Sequence, residues 1–375
     1  MADVIVIGGG IAGCATAFYL AADGVDVIVV EQYELSTLAS AANAGSLHVQ
    51  IQFEPFATLG ETWAREYAPT LRLYAESIEL WKKAESVLGT DLEVSQNGGL
   101  LVAKTESEMR LVEAKTKLER AYGVETELLS ASELQAKAPY ISEHMIGGAF
   151  CPLEGKANPL NAAAAFAAGA ESHGAKIMQD CEVNGVQRDD AGFRIETSKG
   201  TIKASRVVNA AGVEAGRVAA MVGAEIEVQS FPIQMSVTEP LQPLIGHLVY
   251  SASQMLTLKQ TRSGTVIIGG GWPATLDRHR RTQVSGKSLL GNLRVALEVV
   301  PELASASIVR TWAAQVNGNK SWRPIIGEVG RAPGFFVNYV PWMGFTGGPA
   351  AGRIIASLVQ GHEPPVGFDV SQFAP

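Results

Sequence analysis

Asp3-Val4-Ile5-Val6-Ile7-Gly8-Gly9-Gly10-Ile11-Ala12-Gly13 decides the fold. Its first five residues form a β-branched apolar run, as expected of a strand buried on both faces. The run feeds GxGxxG at Gly8, Gly10 and Gly13. A helix is expected over 14–22, closed by Asp23-Gly24, and then a second strand over 25–30 ending at Glu31. In such a unit the first glycine permits the tight turn and the second admits a pyrophosphate close to the backbone. The third lets helix and strand touch. The helix start offers free N–H groups and a partial positive charge to phosphates. Glu31, 18 residues beyond Gly13, can accept both hydroxyls of an adenosine ribose, which disfavours a ribose phosphate there and so argues against NADP. Ile11, Ala12 and Gln32 flank these positions and belong to the same expected nucleotide cradle.

Composition sets the wider frame. The chain has 375 residues, 47% hydrophobic and 18% charged. At ~150 residues per domain, that suggests two domains or one large composite. Lys and Arg number 30 against 38 Asp and Glu, a net charge of −8, which argues against a nucleic-acid binder needing a basic face. The only cysteines, Cys14, Cys151 and Cys181, are far apart and form no CxxC, so this chain alone is not expected to hold zinc or an iron–sulfur cluster. Lone thiols suit a reducing compartment. The start carries no secretory signal, and the apolar stretch 4–20 is broken by three glycines. A cytoplasmic protein without a transmembrane segment is expected.

Three later segments bear on which dinucleotide is bound. A small-residue loop over 38–48 contains Ser40, Asn43, Ala44, Gly45, Ser46, Leu47 and His48, and can lie against a flat ring without steric conflict. Arg206-Val207-Val208-Asn209-Ala210-Ala211-Gly212 reads as a strand entering a small-residue turn. Gly344-Phe345-Thr346-Gly347-Gly348-Pro349 is a second glycine turn, opening a helix over 350–359.

With these motifs in this order, the chain resembles the FAD-dependent D-amino-acid oxidase, glycine oxidase and sarcosine oxidase group along essentially its whole length. The resemblance implies an α/β fold: a Rossmann-like FAD-binding domain of the glutathione-reductase type with an interleaved antiparallel-sheet substrate domain. The expected FAD layer is discontinuous, over 1–90, 145–222 and 322–375, with 91–144 and 223–321 forming the substrate domain. FAD contacts are expected from the glycines, Glu31, the small-residue loop, Val183, Ala210, Ala211 and Gly212. Gly344, Phe345, Thr346 and Gly347 would present a helix N-terminus to the flavin pyrimidine ring, where reduced flavin is negative.

Within the group the chain resembles the B subunits of opine oxidases. The marks are Asn43-Ala44-Gly45-Ser46-Leu47-His48, Asn158-Pro159-Leu160, Leu258-Lys259-Gln260-Thr261 and Arg310-Thr311-Trp312. The implied reaction is hydride transfer from a carbon next to nitrogen to the flavin, then hydrolysis of the imine to amino acid and 2-keto acid. The resemblance implies a hetero-oligomer whose alpha subunit carries a cysteine-bound iron–sulfur cluster. Two side chains are candidate catalytic groups. His48 can bond the flavin or accept an amine proton, and Lys259, in the expected pocket floor, can pair with a substrate carboxylate or influence oxygen chemistry. Alternatives are a D-amino-acid, proline or hydroxyproline dehydrogenase of the same group, a flavoprotein subunit whose FAD is structural, and a nicotinamide dehydrogenase.

Departures from the family pattern narrow the substrate. D-amino-acid and glycine oxidases carry a carboxylate-clamping arginine four residues after a Trp; counted from Trp312, that position is Val316. Arg323 falls seven residues later and is not expected to replace it. The His that binds FMN covalently in sarcosine oxidase β subunits corresponds to Pro159, so any FMN at a subunit interface would be held non-covalently. No Cys follows Cys181 to anchor FAD, which is likewise expected to be non-covalent. The run Asp277-Arg278-His279-Arg280-Arg281 reads as a solvated loop, and Trp63, Trp81 and Trp322 as packing residues.

Overall fold

The computed structural model describes residues 1–375. The apolar start becomes the strand Ala2–Ile7, in the middle of an eight-stranded sheet, parallel to Val27–Val30 on one side and Gly200–Asn209 on the other. Val4 and Val6 enter one hydrophobic core and Ile5 and Ile7 a second, on the opposite face. This is why the run carries no polar alternation. Lys176–Met178 and Phe335–Tyr339 extend the sheet in parallel, Ile325–Glu328 closes one edge antiparallel, and Val183–Asp189 with Gly192–Thr197 forms a hairpin on the long strand Gly200–Asn209.

The first helix is Ile11–Ala22, starting earlier than the sequence suggests because the glycine turn ends at Gly10. It packs against Pro159–Ser172 and the C-terminal helix Gly344–Gln360. Pro69 falls in the short 3-10 turn that separates Phe53–Tyr67 from Leu71–Leu88. Both helices feed the larger core through Phe56, Tyr67, Leu71, Tyr74 and Trp81.

A second eight-stranded sheet runs Ile308–Gly318, Gln229–Pro240, Thr265–Gly269, Thr257–Gln260, Leu248–Ser251, Gly99–Ala103, Gly147–Cys151 and Glu127–Ser130. It differs from the expected sheet in two ways. Gly99–Ala103 and Leu248–Ser251 pair in parallel, because two separate chain segments meet there rather than a hairpin. Gly147–Cys151 also pairs in this sheet, so the first layer resumes only after Cys151 and not at residue 145. Helix Gly286–Val299 covers one face through Val295, Ala296 and Val299. Between the sheets, Ser46–Leu47 pairs with Gly155–Lys156, which fixes the loop carrying His48 against the second layer. No helix is long and apolar enough to cross a membrane.

Candidate active site

The turn after the first strand requires glycine. Gly8 has φ 110°, and a Cβ there would lie 2.4 Å from the Ala210 carbonyl oxygen. A Cβ on Gly13 would lie 2.0 Å from the Gly8 carbonyl oxygen. The helix Ile11–Ala22 has no cap from its own N-cap residue, and Ser40 Oγ accepts the Ile11 N–H from across the groove at 2.9 Å. Glu31 ends the second strand, 9% exposed, and its carboxylate accepts the N–H groups of Gly9 at 2.7 Å and Tyr33 at 2.9 Å. Each oxygen keeps a lone pair for a further donor.

A cavity of about 770 Å³ opens over this turn. Gly8, Gly10, Glu31, Gln32, Ser40, Val183, Ala210, Ala211 and Gly212 all line it. A second cavity, of about 490 Å³, is lined by Asn43, Ala44, Ser46, His48, Phe345 and Thr346. The two share Ala39, Ala42 and Ala314, so they form one groove running from Glu31 to the C-terminal helix. Trp312 Nε1 donates to the Ala42 carbonyl at 2.8 Å and pins the small-residue loop at this junction. Seven of the expected contacts, Ile11, Ala12, Gly13, Gly45, Leu47, Gly344 and Gly347, line neither cavity. They shape the turns and helix packing behind the groove: Gly347 faces Tyr74 and Val340, and Ile11 packs against Gly348.

The helix Gly344–Gln360 also begins without a side-chain cap. Its first turn is held from behind, where Ser77 Oγ donates to the Thr346 carbonyl at 2.6 Å and Trp81 Nε1 at 3.0 Å. Trp81→Phe is therefore expected to lower stability by about 2–3 kcal/mol, through one lost buried hydrogen bond and the void left by the smaller ring, read as a shifted denaturant midpoint with unchanged slope. Thr346 Oγ1 accepts the His48 N–H at 3.0 Å, joining the two ends of the chain at the second cavity. The groove fits an extended dinucleotide with a ring system. Gly10 at one helix start and Phe345 and Thr346 at the other line it, and a carboxylate stands at the ribose end.

The comparisons with known proteins agree. The DAO family, described as FAD dependent oxidoreductase, matches residues 3–358. The chain belongs to this family. It is 28% identical to the sarcosine oxidase beta subunit of an Arthrobacter species, over 96% of this chain and 87% of that one. To the B subunit of opine oxidase from Rhizobium meliloti it is 26% identical, over 89% of this chain and 87% of that one. The crystal structure of L-proline dehydrogenase from P. horikoshii superposes with TM-score 0.88 at 25% identity, covering 100% of this chain and 96% of that one.

In this FAD-dependent oxidoreductase, His48 sits in the wall of the second cavity, and its Nδ1 lies 2.5 Å from Tyr250 Oη. Burial, with the Lys259 charge adding to it, pushes the His48 pKa down to about 3, so the imidazole is neutral at working pH. Lys259 does not face the cavity. It is 2% exposed, behind Ser46, whose Oγ receives an Nζ hydrogen at 2.5 Å. Lys259 shares a strand face with Thr257, which lines the cavity, but Ser46 stands between its Nζ and the open space, so direct pairing with a substrate carboxylate is not what this geometry offers. Burial, then the Lys156 charge, pushes its pKa down to about 7. Val316 lines the cavity and Arg323 does not; Arg323 instead donates to the Gln372 carbonyl. Trp322 is more than a packing residue: it stacks on Trp342 at 4.5 Å, and both line the cavity. Arg280 and Arg281 are exposed but stand at the edge of the first cavity, so the basic loop borders the groove.

Sequence reading missed Tyr250, Gln50, Lys115 and Glu154. Glu154 is fully buried, accepts the Val49 and Gln50 N–H groups at 2.8 and 2.9 Å, and receives Gln50 Nε2 and Tyr250 Oη, each at 2.9 Å. Lys115 is 1% exposed, 2.6 Å from Glu119 and 3.0 Å from Gln50 Oε1. The one available signal was the acidic residue inside Cys151-Pro152-Leu153-Glu154-Gly155, between residues otherwise fit for burial.

Proposed function

We propose that the protein oxidises a secondary amine derived from an amino acid, an opine, to amino acid and 2-keto acid, as the FAD-bearing beta subunit of a hetero-oligomer. The observation that carries this reading is the wall of the second cavity. It offers a neutral histidine acceptor, and no guanidinium lines it. The cation that does line it, Lys115, is already paired with Glu119. Val316, Ile233, Met235 and Met255 give an apolar wall instead, suited to a substrate whose bulk lies on both sides of the nitrogen.

Residues of the groove from Glu31 to Thr346 would hold FAD, which would supply the two-electron oxidant for the hydride lost from the carbon next to nitrogen. The chain's own residues orient that carbon. His48 receives an N–H of the uncharged amine, the apolar wall excludes water from the reacting bond, and Thr346 and Ser46 fix the loop on which His48 stands. Water then hydrolyses the released imine. The flavin is held non-covalently: of the three cysteines only Cys181 lines the groove, at the Glu31 end, and none lines the second cavity, where the ring system would lie. The names of the sarcosine and opine oxidase relatives, each a subunit, support a partner. The three cysteines do not come together and no group of side chains here is fit to hold a metal ion, so that alpha subunit is the place for an iron–sulfur relay, and an FMN at the interface would be non-covalent.

The likeness to a proline dehydrogenase favours a second reading, oxidation of proline, hydroxyproline or a D-amino acid. Anaerobic titration of the purified yellow protein separates the two. Octopine or nopaline bleaches the flavin on the first reading. Bleaching by free amino acids and not by opines establishes the second. A complex that turns over while substrate never bleaches this FAD would make the chain a structural subunit.

A further inference from the structure

We infer that Lys115, Gln50, Glu154 and Tyr250 form a directed hydrogen-bond chain that fixes His48 as the Nδ1–H tautomer, leaving Nε2 as a bare acceptor for a substrate N–H. The inference deepens the amine reading above and adds positioning residues to it.

The direction follows from counting protons. Lys115, as the ammonium partner of Glu119, has donors only. Its 3.0 Å contact with Gln50 must therefore be to the amide oxygen, Oε1. That orients the Gln50 amide, so Nε2 is the atom donating to Glu154 at 2.9 Å. Glu154 also accepts two backbone N–H groups, from Val49 and Gln50. Three N–H donors leave the carboxylate one acceptor site of its four, and Tyr250 Oη stands at 2.9 Å to fill it. A phenol has one proton. Committed to Glu154, it cannot also point at His48, so the 2.5 Å contact between Tyr250 Oη and His48 Nδ1 needs its proton on the histidine. Burial, then the Glu154 charge, holds the Tyr250 pKa well above its ordinary value, which keeps that phenol protonated.

The remaining ring nitrogen, Nε2, has no hydrogen-bond partner in the chain, and His48 lines the cavity. Every link is a buried or half-buried side chain, and the links come from four segments: 48–50, Lys115 on the helix Glu106–Ala121, Glu154 before the strand Gly155–Lys156, and Tyr250 on Leu248–Ser251. Lys259 is the further charge felt by the ring, and it disfavours imidazolium. The arrangement presents a lone pair, not an N–H, to the substrate nitrogen. A tautomer fixed by an outer hydrogen bond is a recurring way to set what an imidazole offers.

The test uses the holoenzyme with ¹⁵N-labelled histidine. The long-range ¹H–¹⁵N correlation pattern of His48, assigned by its loss in His48→Asn, is expected to be that of Nδ1–H. Glu154→Gln should reverse it. The new amide must turn its oxygen to the Val49 and Gln50 N–H groups and its NH₂ to Tyr250, giving up the bond from Gln50 Nε2; Tyr250 then donates to Nδ1 and leaves the proton on Nε2. Anaerobic flavin reduction by the amine that bleaches the wild type should slow about 10- to 100-fold, the worth of one hydrogen bond of this kind, with FAD content unchanged. Tyr250→Phe serves if Glu154→Gln does not fold: it should show a mixture of tautomers and an intermediate rate. An Nε2–H pattern in the wild type, or a folded variant in which tautomer and rate both stay put, overturns the inference. If no amine bleaches the wild type, the amine reading fails, and the tautomer pattern still decides the hydrogen-bond chain.

Discussion

Gly13→Val yields protein without bound flavin. The valine Cβ would stand 2.0 Å from the Gly8 carbonyl oxygen and 3.3 Å from the Ala210 side chain. The obstacle is backbone, so no rotamer relieves it, and the helix Ile11–Ala22 must move off the central strand. That displaces the helix start, with the Ser40 bond to the Ile11 N–H, from the groove and disturbs the contact between Gly8 and Ala210 that shapes its floor. Flavin content, from the ratio of visible to ultraviolet absorbance, should fall from one per chain to none, and the soluble yield should fall with it. Gly330→Ala, where a Cβ meets nothing within 4 Å, should keep full flavin content. A yellow Gly13→Val protein would show that the turn is not the cofactor cradle.

Lys115→Met is expected to cost about 3–5 kcal/mol of stability, the penalty for breaking a buried ion pair from one side. The substitution strands the Glu119 carboxylate, which is 0% exposed, and removes the donor to Gln50. One Glu119 oxygen already lacks a partner. Burial raises the Glu119 pKa, with the Lys115 charge opposing that rise, so losing the lysine pushes it up further. The carboxyl then takes a proton that the unfolded chain, at neutral pH, does not bind. The deficit should therefore grow as pH rises above the ordinary carboxylate range and shrink as pH falls through it. Lys115→Met with Glu119→Leu should recover part of the loss, because no buried charge is then left alone. Urea unfolding at pH 5 and pH 8 reads both effects. Equal loss in the single and double variants would contradict the account.

These predictions divide according to what the sequence made legible. The nucleotide cradle is local: Gly8, Gly10 and Gly13 lie in six consecutive residues, and their spacing alone states the turn, the helix start and the close packing. The C-terminal turn is equally local, and its partnership with the small-residue loop follows from the family resemblance. The polar chain beneath His48 is not local. Lys115 and Glu119 stand four apart on a helix rich in charge, a pattern that usually marks a solvated face. Only the docking of that helix against residues 49–51 buries them, through the bond from the Ile51 N–H to Glu119. Tyr250 likewise lies in a readable strand, but its neighbour across the layer, Glu154, comes from a turn about a hundred residues away. Lys259 shows the same limit: its strand and face were legible, and its cover by Ser46, from a segment about two hundred residues away, was not.

The central claim is that one groove, from Glu31 to Thr346, holds a single FAD without a covalent bond. Acid precipitation of the purified protein, followed by identification of the flavin in the supernatant, tests it most directly. One FAD per chain, released to the supernatant, is the predicted result. A colourless supernatant, a flavin retained in the pellet, or FMN alone would contradict it.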